Sequence, residues 1–272
     1  MKRIALAVLA ALALAPALAQ AAVTVKGSDT MVILAQRWAE EYMKKNPTKK
    51  IQVTGGGSGT GIAALINGTT DIADASRPMK GEEKEKVKKA HQVEVVETSV
   101  AKDGVAIYVN DANPITQLTP DQLKGIYTGE ITNWKAVGGA DTTIVLYSRE
   151  NSSGTYVFVK EHVLKNADYA AAAQTLPGTA AVVNAVSKEK HGIGYGGGAY
   201  AKGVREVPIV GTDGKAYGPS LQNVQSGKYA LSRDLYMYTR GKPAGEAAEF
   251  IEFCLSKAGQ DIVTQVGYYP VK

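Results

Sequence analysis

Apolar residues along this chain switch repeatedly between two periods. Short β-branched runs alternate with stretches in which apolar side chains return every three or four positions, the marks of strand and amphipathic helix. Val23-Thr24-Val25 predicts a first strand. Gly27-Ser28-Asp29-Thr30 supplies turn and N-cap residues. Met31, Leu34, Ala35, Trp38 and Tyr42 then follow at helical spacing until Asn46-Pro47 stops them. Residues 51–54 predict a strand, 55–61 a glycine-rich turn and 62–66 a short helix. Asp71-Ile72-Ala73 opens a strand that leads into Asp74-Ala75-Ser76-Arg77-Pro78, and 81–91 read as a highly charged surface helix. Strands rich in β-branched residues are expected at 93–96 and 105–109. Thr119-Pro120-Asp121 caps a helix through Ile126, and a strand at 143–147 runs into the loop 148–154. Helices are expected over 155–164 and at alanines 170–173, strands at 192–195 and 231–238, and the final helices within 246–266. Repeated βα units predict an α/β fold, with largely parallel sheet and helices on both faces. No internal repeat or low-complexity linker interrupts them.

The first 21 residues stand outside this pattern. Met1, Lys2 and Arg3 are followed by an apolar run over 4–19, broken only by Pro16, and then by Ala19-Gln20-Ala21. Positive start, apolar middle and small-residue exit are the order of a secretory signal peptide. The run is short for a span of about 20 residues and no stop-transfer pattern follows it. The expected product is a soluble chain exported across the inner membrane. Cys254 is the only cysteine, so no lipid-anchoring cysteine follows the leader, and it reads as a small buried residue of a C-terminal helix.

Charge narrows the classes further. Loss of Lys2 and Arg3 lowers the formal net charge from +5 to +3. No basic run announces nucleic acid or a membrane surface, while a mildly positive field suits a small anion. His91, His162 and His191 lack metal-ligand spacing, so no metal and no cofactor is expected.

The candidate chemistry lies in three turns between a strand and a helix: Gly27-Ser28-Asp29-Thr30, Gly55-Gly56-Gly57-Ser58-Gly59-Thr60-Gly61 and Arg149-Glu150-Asn151-Ser152-Ser153-Gly154-Thr155. A helix start leaves its first N–H groups unpaired and carries partial positive charge. Glycines admit a ligand close to the backbone, and hydroxyls add donors. Such turns bind oxyanions, and Arg149 would add a planar charged fork. Any one loop reads equally as a cap and a turn. Three in one α/β chain point to an anion at the carboxyl edge of the sheet.

Other motifs fit less well. The second loop has no Lys-Ser/Thr after its glycines, so it is not a nucleotide P-loop. Gly59-Thr60-Gly61 with Ala64 matches GxGxxA, and 192–197 matches GxGxxG, but both are weak patterns in a glycine-rich exported chain. Ser58 lacks the glycine two positions on that a nucleophile elbow requires, and no histidine is placed as its base.

In their order these segments resemble the substrate-binding proteins of phosphate ABC transporters, the PstS family. The resemblance covers nearly all of the mature chain. It also draws on Ala75-Ser76-Arg77, Ala101-Lys102-Asp103-Gly104-Val105-Ala106, Gly129-Glu130-Ile131-Thr132-Asn133-Trp134 and Gly192-Ile193-Gly194-Tyr195. It implies a two-lobed, type II periplasmic-binding-protein-like fold, each lobe a mostly parallel sheet flanked by helices. One lobe would comprise 22–100 and 225–272, the other 101–224, after a signal peptide at 1–21. The two crossings would lie near 99–104 and 222–231. Inorganic phosphate would sit dehydrated in the cleft, with hinge closure over it. Carried over by position, its ligands would be Ser28, Thr30, Ser58, Ser76, Arg77, Arg149, Ser153, Gly154 and Thr155, with Arg149 supplying formal charge. The resemblance also implies a non-enzymatic periplasmic receptor, monomeric, without nucleic acid, that delivers its ligand to ABC transporter permease subunits.

One departure bears on selectivity. Better-known relatives carry aspartate where this chain has Arg77; that carboxylate accepts the proton of hydrogen phosphate and repels sulfate. Asp74, Asp103 or Glu150 would have to replace it. Three alternatives therefore stay open: a receptor for sulfate, molybdate or tungstate, a secreted phosphohydrolase, and an adhesive or signalling module.

Overall fold

The computed structural model describes residues 22–271. The expected signal peptide lies outside the described residues. The chain runs through β1 (Val23–Gly27), α1 (Val32–Lys45), β2 (Ile51–Thr54), α2 (Ser58–Ile66), β3 (Ile72–Ala75) and α3 (Gly81–His91). A long strand, β4 (Val95–Val109), leads to α4 (Pro120–Thr128), β5 (Val145–Arg149), α5 (Gly154–His162), β6 (Gln174–Leu176), α6 (Gly178–Lys188) and β7 (Gly192–Gly197). Three two-residue strands follow, β8 (Arg205–Glu206), β9 (Ile209–Val210) and β10 (Ala216–Tyr217), and then α7 (Leu221–Gln225). The chain ends with β11 (Ser232–Arg240), α8 (Gly245–Leu255) and α9 (Lys257–Val266). No helix among the described residues is long and apolar enough to cross a membrane.

Nine strands form one curled sheet in the order β2-β1-β3-β11-β4-β7-β5-β6, with β8 paired to β4, while β9 and β10 form a separate antiparallel pair. At one end β1 is parallel to both β2 and β3; at the other β5 is parallel to both β6 and β7. Each parallel set therefore brings its carboxyl ends to a common edge, where the βα turns lie. Between the sets run β4 and β11, antiparallel to each other and to their outer neighbours. β4 pairs with β11 over 95–104 and with β7 over 105–109, so this one strand serves both halves.

Two main buried cores flank the crossing. Trp38, Ile72, Leu235 and Phe250 belong to one, drawn from 23–101 and 235–268. Ile107, Trp134, Ile193 and Leu231 belong to the other, drawn from 105–231. Cys254 is buried in the first, and burial pushes its thiol well above the ordinary range, which makes it inert packing.

Three local expectations change. The second half of the run at 93–96 and the run at 105–109 belong to one 15-residue strand that starts at Val95. Its polar middle pairs across to β11, Lys102 with Asp234 at 2.7 Å and Asp103 with Arg233 at 2.8 Å. Charges that read as a break are cross-strand ion pairs. Alanines 170–173 are not helical; Ala170 N–H donates to Tyr127 O at 2.8 Å and Ala173 N–H to Ala170 O at 2.9 Å. The neighbouring Tyr169 ring stacks on Tyr156 at 4.7 Å and its hydroxyl bonds that of Tyr195 at 2.9 Å. These tertiary contacts override the helix propensity of alanine. Helix α6 is one the pattern did not announce, because Val182, Val183 and Val186 are β-branched.

Asp74 sits in β3 with its side chain in this interior. It is 3 % exposed, its Oδ1 has no partner, and burial raises its pKa from 3.8 to about 8. In the unfolded chain this carboxyl ionises near 4. Between about pH 4 and pH 8 the native state therefore holds a proton that the unfolded state has released, and stability falls as pH rises through that window. Urea unfolding at pH 5 and pH 8 is expected to show a loss of several kcal/mol from this group, and Asp74→Asn is expected to flatten the difference. Identical pH profiles for the two proteins would refute the assignment.

Candidate functional site

The three predicted corners meet where the two carboxyl edges face each other. Gly57 has φ +92°, a conformation that favours glycine, and its N–H donates to Gly27 O at 2.9 Å. This joins the first corner to the second. The third crosses to them from the other half: Gly59 N–H donates to Ser152 O at 2.8 Å, and the hydroxyls of Thr30 and Thr155 lie 2.9 Å apart. Gly154 opens α5 directly against two serines. A Cβ there would stand 2.3 Å from Ser58 Oγ and 2.7 Å from Ser76 Oγ, so only hydrogen fits.

The meeting holds more donor protons than acceptors. Ser58 Oγ accepts from Ser76 N–H at 3.0 Å, and the two serine hydroxyls approach to 3.4 Å. One of them donates to the other, and the second hydroxyl proton has no acceptor among the described residues. The Thr30–Thr155 pair has the same surplus. The amides of Ser58, Gly154 and Thr155 stand at helix starts and also have no acceptor among the described residues. Ser58, Ser76 and Thr155 are fully buried, and Thr30 is nearly so. Dry donors in excess of acceptors are costly unless something accepts them. An oxyanion, rich in acceptor atoms, is the complementary ligand.

Arg149, 1 % exposed, reaches this cluster through Asp29. It donates to Asp29 Oδ2 at 2.7 Å, to Glu150 Oε2 at 3.1 Å and to Thr179 Oγ1 at 3.0 Å. Asp29 Oδ1 accepts from Gly56 N–H at 2.9 Å. One carboxylate thus ties the Arg149 guanidinium to the glycine corner that precedes Ser58. Each terminal nitrogen of Arg149 keeps one N–H without an acceptor among the described residues. A shallow cavity of about 270 Å³, lined by Asp29, Gly55, Thr179 and Tyr200, opens beside it. Below, Tyr195 of the Gly192-Ile193-Gly194-Tyr195 strand supports the loop. Its hydroxyl bonds Ser148 Oγ at 2.8 Å and accepts from Arg149 N–H at 3.4 Å.

The remaining predicted residues take other places. Ser28 is buried and its N–H donates to Asp74 O at 3.0 Å. Ser153 caps α5, its Oγ accepting from Tyr156 N–H at 3.2 Å. Arg77 turns to α3: its terminal nitrogens bind both oxygens of Glu83, at 2.7 and 2.8 Å, and Pro78 O at 2.9 Å. Its Nε is buried with no partner. Partial burial alone would raise the Glu83 pKa, but the hydrogen bonds and charges of Arg77 and Lys80 together outweigh it and hold that carboxyl below its ordinary range. Of the three carboxylates considered as proton acceptors, Asp74 lies in the interior, Glu150 is engaged by Arg149 Nε, and Asp103 is paired with Arg233.

Arg233 is the residue that sequence reasoning passed over. It donates to Asp103 Oδ2 from Nε at 3.0 Å and from a terminal nitrogen at 2.8 Å, to Thr155 Oγ1 at 3.0 Å, to Thr30 Oγ1 at 3.4 Å and to Ser76 O at 3.0 Å. A signal was present. Arg233, Leu235 and Met237 share one parity of β11, and all three are buried. A charge on the inward parity requires a buried partner.

Comparison with known proteins shows which family the chain belongs to. Residues 14–258 match the family model described as a PBP superfamily domain. The chain is 34% identical over 263 residues to the phosphate-binding protein PstS of Pseudomonas aeruginosa, covering 90% of this chain and 81% of the relative. It is 36% identical over 245 residues to PstS of Staphylococcus epidermidis, covering 86% and 74%. Among solved structures it resembles a Clostridium perfringens protein assigned as a phosphate ABC transporter substrate-binding protein, solved with bound phosphate. There the TM-score is 0.84 at 33% identity, over 93% of this chain and all 100% of that one. An ABC-type phosphate transport receptor from Vibrio cholerae gives a TM-score of 0.73 at 31% identity, over 91% and 99%. The chain belongs to the PstS family of the PBP superfamily.

The Gly154 contact is directly testable. Its backbone is one that alanine adopts freely, so Gly154→Ala is expected to keep the wild-type circular dichroism and melting temperature. The added methyl would hold the two halves apart, giving a larger radius of gyration by small-angle scattering. An unchanged radius would show that the halves do not meet there in solution.

Proposed function

We propose that this PstS-family chain is a periplasmic receptor that captures inorganic phosphate between two lobes, 22–100 with 225–272 and 101–224, and delivers it to an ABC transporter permease. The observation that carries this reading is the buried surplus of hydrogen-bond donors where the three corners converge. The relatives named above supply the ligand: the names they carry refer to phosphate. The division of the buried cores supports two lobes, but Tyr229 and Leu231 pack with the second and Ala101 with the first, which moves the two boundaries a few residues toward the C-terminus. Crossings in β4 and next to β11 would act as the hinge.

In this reading Thr30, Ser58, Ser76, Gly154 and Thr155 surround the anion with hydroxyls and amides. Ser28 and Ser153 complete the first and third corners, and Arg149 adds charge. Arg77 would contribute only its Nε, because Glu83 already neutralises its guanidinium. The residue that argued for sulfate or molybdate therefore adds no net charge. Asp29 and Asp103 keep carboxylates close to the arginines, which disfavours a fully ionised sulfate relative to an anion that carries a proton. A receptor rather than a phosphohydrolase is supported by Ser58, whose hydroxyl pairs with Ser76 rather than with a base. We further propose that the mature protein acts as a monomer, without nucleic acid and without cofactor.

Titration calorimetry on the mature chain with phosphate, sulfate and molybdate tests this. One phosphate per chain is expected, with sulfate and molybdate far weaker. Sulfate that displaces phosphate at equal concentration would overturn the assignment. Arg149→Ala removes a buried charged donor and should cost about 2–5 kcal/mol of binding, roughly 30- to 5000-fold in Kd. An unchanged Kd would remove Arg149 from the site.

A further inference from the structure

Arg233 stands where the two halves and the two crossing strands come together. Its strand, β11, pairs with β4 in a register that sets Arg233 directly opposite Asp103. The pair is dry, with side chains 4% and 1% exposed. From this point the guanidinium touches Thr30 and Ser76 O on one side of the cleft and Thr155 on the other. Its plane is completed by the face of Phe158 on α5, 5.3 Å from the ring centroid. All three backbone or hydroxyl contacts are to residues already placed in the anion site.

The donor count at Arg233 matches that of the corners. A guanidinium carries five N–H groups in a fixed fork. Nε serves Asp103, one terminal nitrogen serves Asp103 and the two threonines, and the other has Ser76 O alone. That last nitrogen retains an N–H without an acceptor among the described residues, at the carbonyl of Ser76, whose own N–H and hydroxyl meet Ser58 Oγ. Structural pairing with Asp103 alone would need neither the contacts across the cleft nor a buried unsatisfied donor. Burial to this degree makes such a donor costly in the absence of an acceptor.

We infer that Arg233 is a second charged ligand of the anion, oriented by Asp103, and that it couples anion binding to closure of the two lobes. This deepens the phosphate reading and rests on it. Arg149 then holds the outer side of the anion, where Asp29 and the shallow cavity lie, and Arg233 holds the inner side against the crossing strands. With Thr30 and Ser76 on one lobe and Thr155 on the other, Arg233 completes its contacts only when the lobes are together. An anion that draws on its free N–H therefore favours the closed state by differential contact. Asp103 is a positioning residue: it fixes the plane of the guanidinium and does not need to touch the anion.

The test is phosphate titration calorimetry on the mature chain, joined to small-angle scattering with and without phosphate. Wild type, Arg233→Gln, Arg233→Lys, Asp103→Asn and the double variant Asp103→Asn/Arg233→Gln are compared. Wild type is expected to bind phosphate and to compact on binding. Arg233→Gln, folded by circular dichroism, should bind at least about thirtyfold more weakly. Arg233→Lys keeps the charge and the Asp103 pair, so it carries the test if the glutamine variant does not fold. Lacking the planar fork it should lose about tenfold and compact less at saturating phosphate. Asp103→Asn should weaken binding, and the double variant should be no weaker than Arg233→Gln alone, since Asp103 acts through the arginine. Wild-type affinity and compaction in both folded Arg233 variants would overturn the proposal while leaving phosphate capture intact. Absence of phosphate binding by the wild type would overturn both.

Discussion

A buried donor without an acceptor is the constraint on which the rest of this structure turns. Parallel strands end at a common edge, and each βα corner leaves amides that no helix or strand can satisfy. In most α/β proteins water meets that demand. Here Ser58, Ser76, Thr30 and Thr155 are shut away from it, and their hydroxyls add to the demand. The opposite half of the molecule contributes the start of α5, which carries further donors and few acceptors. Two such edges pressed together make a place suited to an acceptor-rich anion. Small size is required as well, because Gly154 and Gly57 leave no room even for a methyl group against the facing corner.

The charged residues refine this neutral scaffold. Arg149 and Arg233 approach from different elements, β5 and β11, and each is anchored by an aspartate, Asp29 or Asp103. Anchoring lowers the net charge of the site but fixes each planar fork before a ligand arrives, so less ordering remains to be done on binding. In the proposed reading the same carboxylates would disfavour sulfate without any contribution from residue 77. Arg77, which differs from the better-known pattern of the family, is turned toward Glu83 and α3. Its substitution for aspartate therefore changes the surroundings of the site less than the sequence alone suggests.

Much of the fold was legible because its signals are local. The spacing of Met31, Leu34, Trp38 and Tyr42 and the stop at Asn46 mark α1 closely, and Thr119-Pro120 marks the start of α4. The corners were legible too, because glycine, serine and threonine at a strand-to-helix turn report backbone geometry directly. Long-range pairing was not. Lys102 and Asp103 read as an interruption of a strand, since their partners Asp234 and Arg233 are about 130 positions away in sequence. The alanines at 170–173 read as helix because nothing local reports the tyrosine cluster beside them. Arg233 went unnoticed for the same reason: an inward charge is visible by parity, but its five contacts come from four separate segments.

A crystal structure of the mature chain grown with phosphate measures the central claim most directly. The account predicts one tetrahedral anion between the Ser58 corner and the start of α5, within about 3 Å of hydroxyls and amides from both halves, with Arg149 and Arg233 each donating to it. An anion bound elsewhere, or Arg149 and Ser58 facing separate cavities with no shared ligand, would contradict it.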